Sequence, residues 1–241
     1  MIKKILLVLI VISSLIGCNK GKKEKETVTI SIAASLTDGI EEIAKNYTKD
    51  TGIEVRINLG GSGSLKKQME EGAPVDFIFL ASKDHIDKLA ETKVTDESKY
   101  LLENSLVVIG NKKINNLKDI LINTEKTLAT GDPDFVPAGR YAKDVLIKLN
   151  LWKNFNDNIL FTKDVRSALF YVKIGEVGYS IVYRTDALLL KDKEIYYIDT
   201  SLHSPIIYGS GVKIGSLPGK KFSDYLIKNI EIFEKYGFKV R

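Results

Sequence analysis

Four short stretches of this 241-residue chain place small residues rich in hydrogen-bond donors directly ahead of helical patterns. Ala33-Ala34-Ser35-Leu36-Thr37-Asp38 puts Ser35 at an N-cap position, and Asp38, three residues on, would complete a capping box. In Gly60-Gly61-Ser62-Gly63-Ser64 the glycines permit positive φ and let backbone N–H groups approach a ligand closely. The loop Gly131-Asp132-Pro133-Asp134-Phe135-Val136-Pro137-Ala138-Gly139 runs into a helix, with Pro137 suited to its first turn. Asp164-Val165-Arg166-Ser167 is the fourth. A helix N-terminus leaves up to four N–H groups unpaired and carries about half a positive charge. Several such ends facing one cleft would hold an oxyanion without a buried cation. For any one of these segments alone, ordinary helix capping accounts for the pattern.

The elements that must position these stretches alternate between strand and helix. Thr27–Ala34, Ile53–Leu59, Val75–Leu80, Ser105–Ile109, Thr127–Thr130, Asn158–Phe161, Tyr179–Tyr183 and Ile195–Ile198 read as strands from apolar alternation or short apolar runs. Leu36–Lys49, Ser64–Glu71, His85–Glu91, Ala138–Leu149, Val165–Ile174 and Phe222–Tyr236 carry helical spacing, with Gly52, Gly72 and Gly237 as stops. This alternation predicts an α/β protein with mostly parallel sheets flanked by helices, and the length suits two lobes. Crossovers between lobes are expected near Glu103–Ile109 and Val182–Ala187. Residues 27–105 and 203–241 are assigned to lobe one, and residues 106–202 to lobe two. Ligands in such folds sit at the carboxyl ends of strands.

The first 18 residues, MIKKILLVLIVISSLIGC, join a basic start at Lys3 and Lys4 to an apolar run from Ile5 to Ile12, too short to cross a membrane. Leu15-Ile16-Gly17-Cys18 resembles the lipobox of bacterial lipoproteins, which implies removal of residues 1–17 and lipidation of Cys18. Residues 18–26 then form an acylated, charged tether, and the chain is expected on the extracytoplasmic face of a cell membrane. Cys18 is the single cysteine, so an internal disulfide is impossible. Without Lys3 and Lys4 the chain has 34 basic against 31 acidic residues, interspersed, which gives no case for nucleic acid. With 44% hydrophobic and 28% charged residues the composition is that of a globular protein.

Enzyme signatures fit poorly. The Gly60–Ser64 run matches neither a P-loop nor GxGxxG, and Ser64 stands where a nucleophile elbow needs its last glycine. A hydrolase using Ser35 or Ser62 would need a histidine in reach, and His85 and His203 both read as surface residues. Tyr196-Tyr197 raises a ferric-iron receptor as a further alternative, although their alternating strand puts at least one in the core.

Across residues 27–241 the chain resembles the substrate-binding proteins of bacterial molybdate ABC importers. The resemblance rests on AASLTD (Ala33–Asp38), GAPVDFIFLAS (Gly72–Ser82), NSLVV (Asn104–Val108), GDPDFVPAGRYAK (Gly131–Lys143), DVRSAL (Asp164–Leu169), GYSIVYRTDA (Gly178–Ala187) and KYGF (Lys235–Phe238). It implies a two-lobed periplasmic-binding-protein fold of type II that closes on molybdate or tungstate in the interlobe cleft. It also implies an ABC permease and ATPase as partners, a monomer, no cofactor, no catalysis, and no protein ligand to the metal itself. By motif, Ser35 would supply a hydroxyl and its N–H, Ser62 a second hydroxyl, Ala138 and Val165 backbone N–H groups, and Tyr183 its hydroxyl. The family often has a run of serines where this chain has Gly61-Ser62-Gly63-Ser64, so Ser64 competes with Ser62, and spacing to Leu65 favours Ser62. Every group in this set can donate, which suits a fully deprotonated dianion. Sulfate or another oxyanion satisfies the same logic, and selection among them then rests on cavity size.

Overall fold

The computed structural model describes residues 26–117, 128–155 and 158–241, without the side chains of residues 154 and 155; the signal segment and Cys18 lie outside them. The strands are β1 (Thr27–Ala33), β2 (Glu54–Gly60), β3 (Phe77–Leu80), β4 (Lys99–Asn104), β5 (Leu106–Gly110), β6 (Leu128–Gly131), β7 (Ile159–Thr162), β8 (Tyr179–Tyr183), β9 (Glu194–Tyr197), β10 (Ile206–Val212) and β11 (Lys239–Val240). The helices are α1 (Thr37–Thr51), α2 (Ser62–Glu70), α3 (Lys83–Glu91), α4 (Pro137–Lys148), α5 (Trp152–Phe155), α6 (Val165–Lys173), α7 (Arg184–Ala187) and α8 (Leu217–Lys228).

Two sheets result. Lobe one orders its strands β11-β4-β10-β3-β1-β2, and lobe two β7-β6-β8-β5-β9. Each sheet is parallel on one side, through β2-β1-β3 and β7-β6-β8. The other side is antiparallel, because β10 and β5 run against their neighbours. The mostly parallel pairing read from the sequence therefore holds for half of each sheet. The chain passes to lobe two at Ser105, between β4 and β5, and returns between Tyr197 and Ile206. That second passage comes later than the Val182–Ala187 crossover expected from sequence. Residues 183–187 instead end β8 and form the short α7, which stays with lobe two.

The periodicities explain the local structure. Val28, Ile30 and Ile32 of β1 are fully buried, and α1 turns Ile40, Ile43 and Tyr47 onto the same core. Each such fully buried apolar side chain contributes roughly 1.5–3 kcal/mol. Helix α1 stops at Gly52, whose φ of 76° suits glycine and whose N–H donates to the Thr48 carbonyl. The closing helix expected over Phe222–Tyr236 breaks at Asn229 into α8 and a 3-10 segment, Ile230–Tyr236. An aromatic column links the lobe-one core to the cleft, with Phe77 against Phe79, Phe79 against Tyr208, and Tyr208 against Tyr183 at a centroid separation of 5.7 Å.

Candidate functional site

All four donor-rich stretches, together with Tyr183, fall at the carboxyl ends of parallel strands. Ser35 follows β1, Ser62 follows β2, Ala138 follows β6, Val165 follows β7, and Tyr183 ends β8. This placement brings both lobes' helix N-termini to one cleft.

Ser35, Ser62, Val165 and Tyr183 line one small cavity, joined by Ala81 at the end of β3 and by Pro137. Its volume is about 10 Å3, room for roughly one water-sized sphere. That is below the roughly 300–1,000 Å3 typical of pockets for organic ligands. No charged residue forms its wall. Ser35, Ser62, Val165 and Tyr183 are each at most 3% exposed. Ala138, next to the wall residue Pro137, is fully buried, whereas Ser64 is half-buried and is not part of the wall. Val165 and Ala138 hold the first and second positions of α6 and α4, where N–H groups have no intrahelical acceptor.

The hydroxyl partners set what the cavity can do. Ser62 Oγ accepts from the Ala81 N–H at 3.0 Å, which leaves its own proton free to donate. Ser35 Oγ lies 2.9 Å from Tyr208 Oη. Tyr183 Oη is buried with no hydrogen-bond partner among the described residues. Burial raises the pKa of Tyr183 well above the ordinary tyrosine value, so it keeps its proton and remains a donor.

The capping box expected at Ser35 and Asp38 does not form. Ala34–Leu36 is a 3-10 turn, Leu36 occupies the N-cap of α1, and neither turn nor helix has a side-chain cap. The physical reason is that both partners are drawn elsewhere. Ser35 turns to Tyr208, and Asp38 pairs with Arg166 of lobe two. Arg166 Nε also meets Asp186 Oδ1 at 2.5 Å. Burial pushes Asp186 up to about 6, partly offset by Arg166. Burial opposes the charge on Arg166, but the two carboxylates outweigh it and its pKa is raised. Arg166 is thus neutralised beside the cavity and does not face it.

The glycines next to Ser62 act through close approach and not through positive φ. Gly61 has φ −68°, and a β-carbon there would stand 2.6 Å from the Lys163 carbonyl oxygen across the cleft. Gly63 donates its N–H to the Phe135 carbonyl at 2.8 Å. On the other flank, Arg140 reaches from lobe two to Ser82 Oγ at 3.3 Å and to Asp84 at 3.6 Å. The two lobes are closed on each other at all of these points.

The residues named in the alternative readings lie in other settings. His203 is buried, with 6% exposure, and not on the surface; its Nδ1 sits 2.8 Å from the Ser204 carbonyl and its ring packs on Tyr141. His85 is half-buried, with Nδ1 lacking a partner among the described residues, because α3 turns it toward the interlobe side where Arg140 arrives. Neither histidine bonds to Ser35 or Ser62. Tyr196 and Tyr197 are successive residues of β9 that face opposite sides, Tyr196 half-buried and Tyr197 59% exposed, so they do not converge. The sequence reading missed Tyr208, because a lone tyrosine inside an unrecognised strand carries no signal of a site.

A description of bacterial extracellular solute-binding proteins matches residues 28–239. The chain belongs to this family. Within it, the putative ABC transporter substrate-binding lipoprotein YvgL of Bacillus subtilis is 38% identical over 92% of each chain. The molybdate-binding protein ModA of Haemophilus influenzae is 36% identical over 89% of this chain and 90% of its own. Among solved structures, the substrate-binding domain of a putative molybdenum ABC transporter from Clostridium difficile superposes with a TM-score of 0.66 at 34% identity, covering 89% of this chain and 99% of that one. The two lobes described above are those of this solute-binding family.

Proposed function

We propose that this protein captures molybdate or tungstate outside the cytoplasm and delivers it to an ABC permease and its ATPase. The observation that carries this reading is the Tyr183 hydroxyl, which is buried, protonated and without a hydrogen-bond partner among the described residues. It lies on the wall of an uncharged cavity that also holds two serine hydroxyls and a helix N-terminus. Such a group is costly to bury unless a ligand accepts its hydrogen bond. A small dianion with only acceptor oxygens meets that need, and the relatives named for molybdate point to the same ligand class.

In this reading Ser35, Ser62 and Tyr183 donate hydroxyls, Ala138 and Val165 donate N–H groups, and no protein atom coordinates the metal. Each hydrogen bond to a charged ligand contributes roughly 1.5–3 kcal/mol. Five of them suffice for sub-micromolar binding, about −8 kcal/mol, after the ordering costs of closure. The protein works as a monomeric carrier without catalysis or cofactor. Lipidation at Cys18 holds it at the membrane, and the residues up to 26 act as a tether.

Calorimetric titration with molybdate, tungstate, sulfate and phosphate tests the proposal. Molybdate and tungstate are expected to bind at least a hundredfold more tightly than phosphate. Equal or tighter binding of sulfate would shift the reading to a sulfate receptor. Heat from none of the four would end the oxyanion reading.

A further inference from the structure

The Ser35 hydroxyl is the inner end of a hydrogen-bond chain that begins at the first crossover between the lobes. Asn104, the last residue of β4, accepts the Ser105 N–H on Oδ1 at 2.9 Å. That contact fixes the orientation of its amide. The Nδ2 group then faces two hydroxyls, Thr185 Oγ1 at 2.9 Å and Tyr208 Oη at 3.2 Å. An amide nitrogen only donates, so Tyr208 must accept there. Its single proton is left for the other neighbour, Ser35 Oγ at 2.9 Å. Ser35 in turn accepts from Tyr208, which leaves its own proton free for the cavity it lines.

We infer that Tyr208 is a positioning residue for the ligand, which, with Asn104 behind it, holds Ser35 permanently as a donor toward the cavity. This rests on the oxyanion reading above. Tyr208 itself is fully exposed to neither solvent nor cavity. It is buried to 0% exposure between Phe79, Phe238 and Tyr183, with ring centroids at 6.5, 5.3 and 5.7 Å, so its hydroxyl is aimed by packing. A hydroxyl chain polarised in one direction strengthens its last donor, because each member that accepts a proton becomes a better donor. Ser62 is held in the same sense by the Ala81 N–H. Each serine oxygen then has one of its two acceptor positions filled from within the protein, and its proton is left for the ligand. The chain also ties donor orientation to the hinge. Asn104 precedes the first crossover directly, and Thr185 lies two residues beyond Tyr183, so a shift of either segment disturbs the orientation of Ser35.

A double-mutant cycle on the full chain tests this, with molybdate as the probe and thermal melts alongside. Tyr208→Phe keeps the ring and removes the hydroxyl. It is expected to fold, to weaken molybdate binding roughly tenfold, and to cost little further in a Ser35→Ala background. Such coupling is a signature that loss of structure does not produce, because distant independent effects add. If Tyr208→Phe fails to fold, Asn104→Ala takes its place and is expected to show the same dependence on Ser35. Unchanged affinity in Tyr208→Phe, or an equal loss in both backgrounds, overturns the proposal and leaves the oxyanion reading standing. If the unaltered chain binds none of molybdate, tungstate and sulfate, the oxyanion reading fails and this proposal falls with it.

Discussion

The N–H of Gly63 in lobe one donates to the carbonyl of Phe135 in lobe two at 2.8 Å, and a β-carbon on Gly63 would stand 2.6 Å from that same oxygen. The closed state therefore requires glycine at this position. Gly63→Ala is expected to hold the lobes slightly apart, weakening molybdate binding at least tenfold, about 1.4 kcal/mol. The loss should appear as faster ligand release in stopped-flow measurements and as a larger radius of gyration with ligand in X-ray scattering. Ligand-free melting should change little, because neither lobe's core is touched.

Ser35→Ala and Tyr183→Phe are each expected to lower molybdate affinity ten- to a hundredfold, from the loss of one hydrogen bond to a charged ligand. Arg166→Ala should cost less in affinity and more in stability. Arg166 is absent from the cavity wall but pairs with the buried Asp186. Removing one partner of such a pair costs about 3 kcal/mol. Calorimetry and melting of the three variants separate the two effects. An Arg166→Ala protein that melts normally but binds nothing would require an ion-paired site.

His85 supplies an acid-sensitive element. Burial, with Arg140 and Lys66 adding to it and Asp84 and Glu70 opposing, pushes its pKa down to about 4. The unfolded chain takes up this proton near pH 6.5. The folded state thus favours neutral His85, so its contribution is fully present above pH 6.5 and is lost as the pH falls toward 4. Denaturant titrations at pH 7.5 and 4.5 should show the wild type losing more stability than His85→Gln, by on the order of 1–3 kcal/mol. A constant difference between the two proteins at both pH values would rule this out.

Cys18 lies outside the described residues, and its role rests on the lipobox alone. Cys18→Ser is expected to leave molybdate affinity unchanged while releasing the protein from membranes in fractionation. Retention of this variant in the membrane fraction would contradict anchoring by a lipid at that residue.

Much of the fold could be read where local pattern and tertiary role agree, as in β1, α1 and the apolar run of β3. Of the strands that escaped notice, β10 breaks its own pattern for a tertiary reason. Strand β10 reads IIYGSGV, and its two glycines look like loop; yet a β-carbon on Gly211 would stand 2.9 Å from Thr95, so the strand needs glycine to pack. The break at Asn229 was hidden because apolar spacing continues across it, from Leu226 to Phe233. At the site, the family resemblance put Ser35, Ser62, Val165 and Tyr183 on a common list, with spacing deciding only for Ser62 over Ser64, and the fold brings the four to one cavity. The supporting layer was not legible. The pairing of Asp38 with Arg166 spans 128 residues, and that of Ser35 with Tyr208 spans 173. No local signal records either, and Asp38 fitted a capping role as well.

The mixed pairing of the two sheets has a consequence for how such a receptor can change. The residues that face the cavity all hang from the parallel halves, whereas the polypeptide crosses between lobes through strands of the antiparallel halves. Substitutions in β5 or β9 can therefore retune how readily the jaws shut while leaving the inventory of donors intact, whereas Asn104 of β4 and Tyr208 of β10 reach the donor Ser35 as well. Tyr183 ends the one lobe-two strand that borders both halves, parallel to β6 and antiparallel to β5. Selectivity and closing tension are thus joined at that tyrosine, as they are along the Asn104–Tyr208–Ser35 chain and at Gly63, so that a change in one is a change in the other.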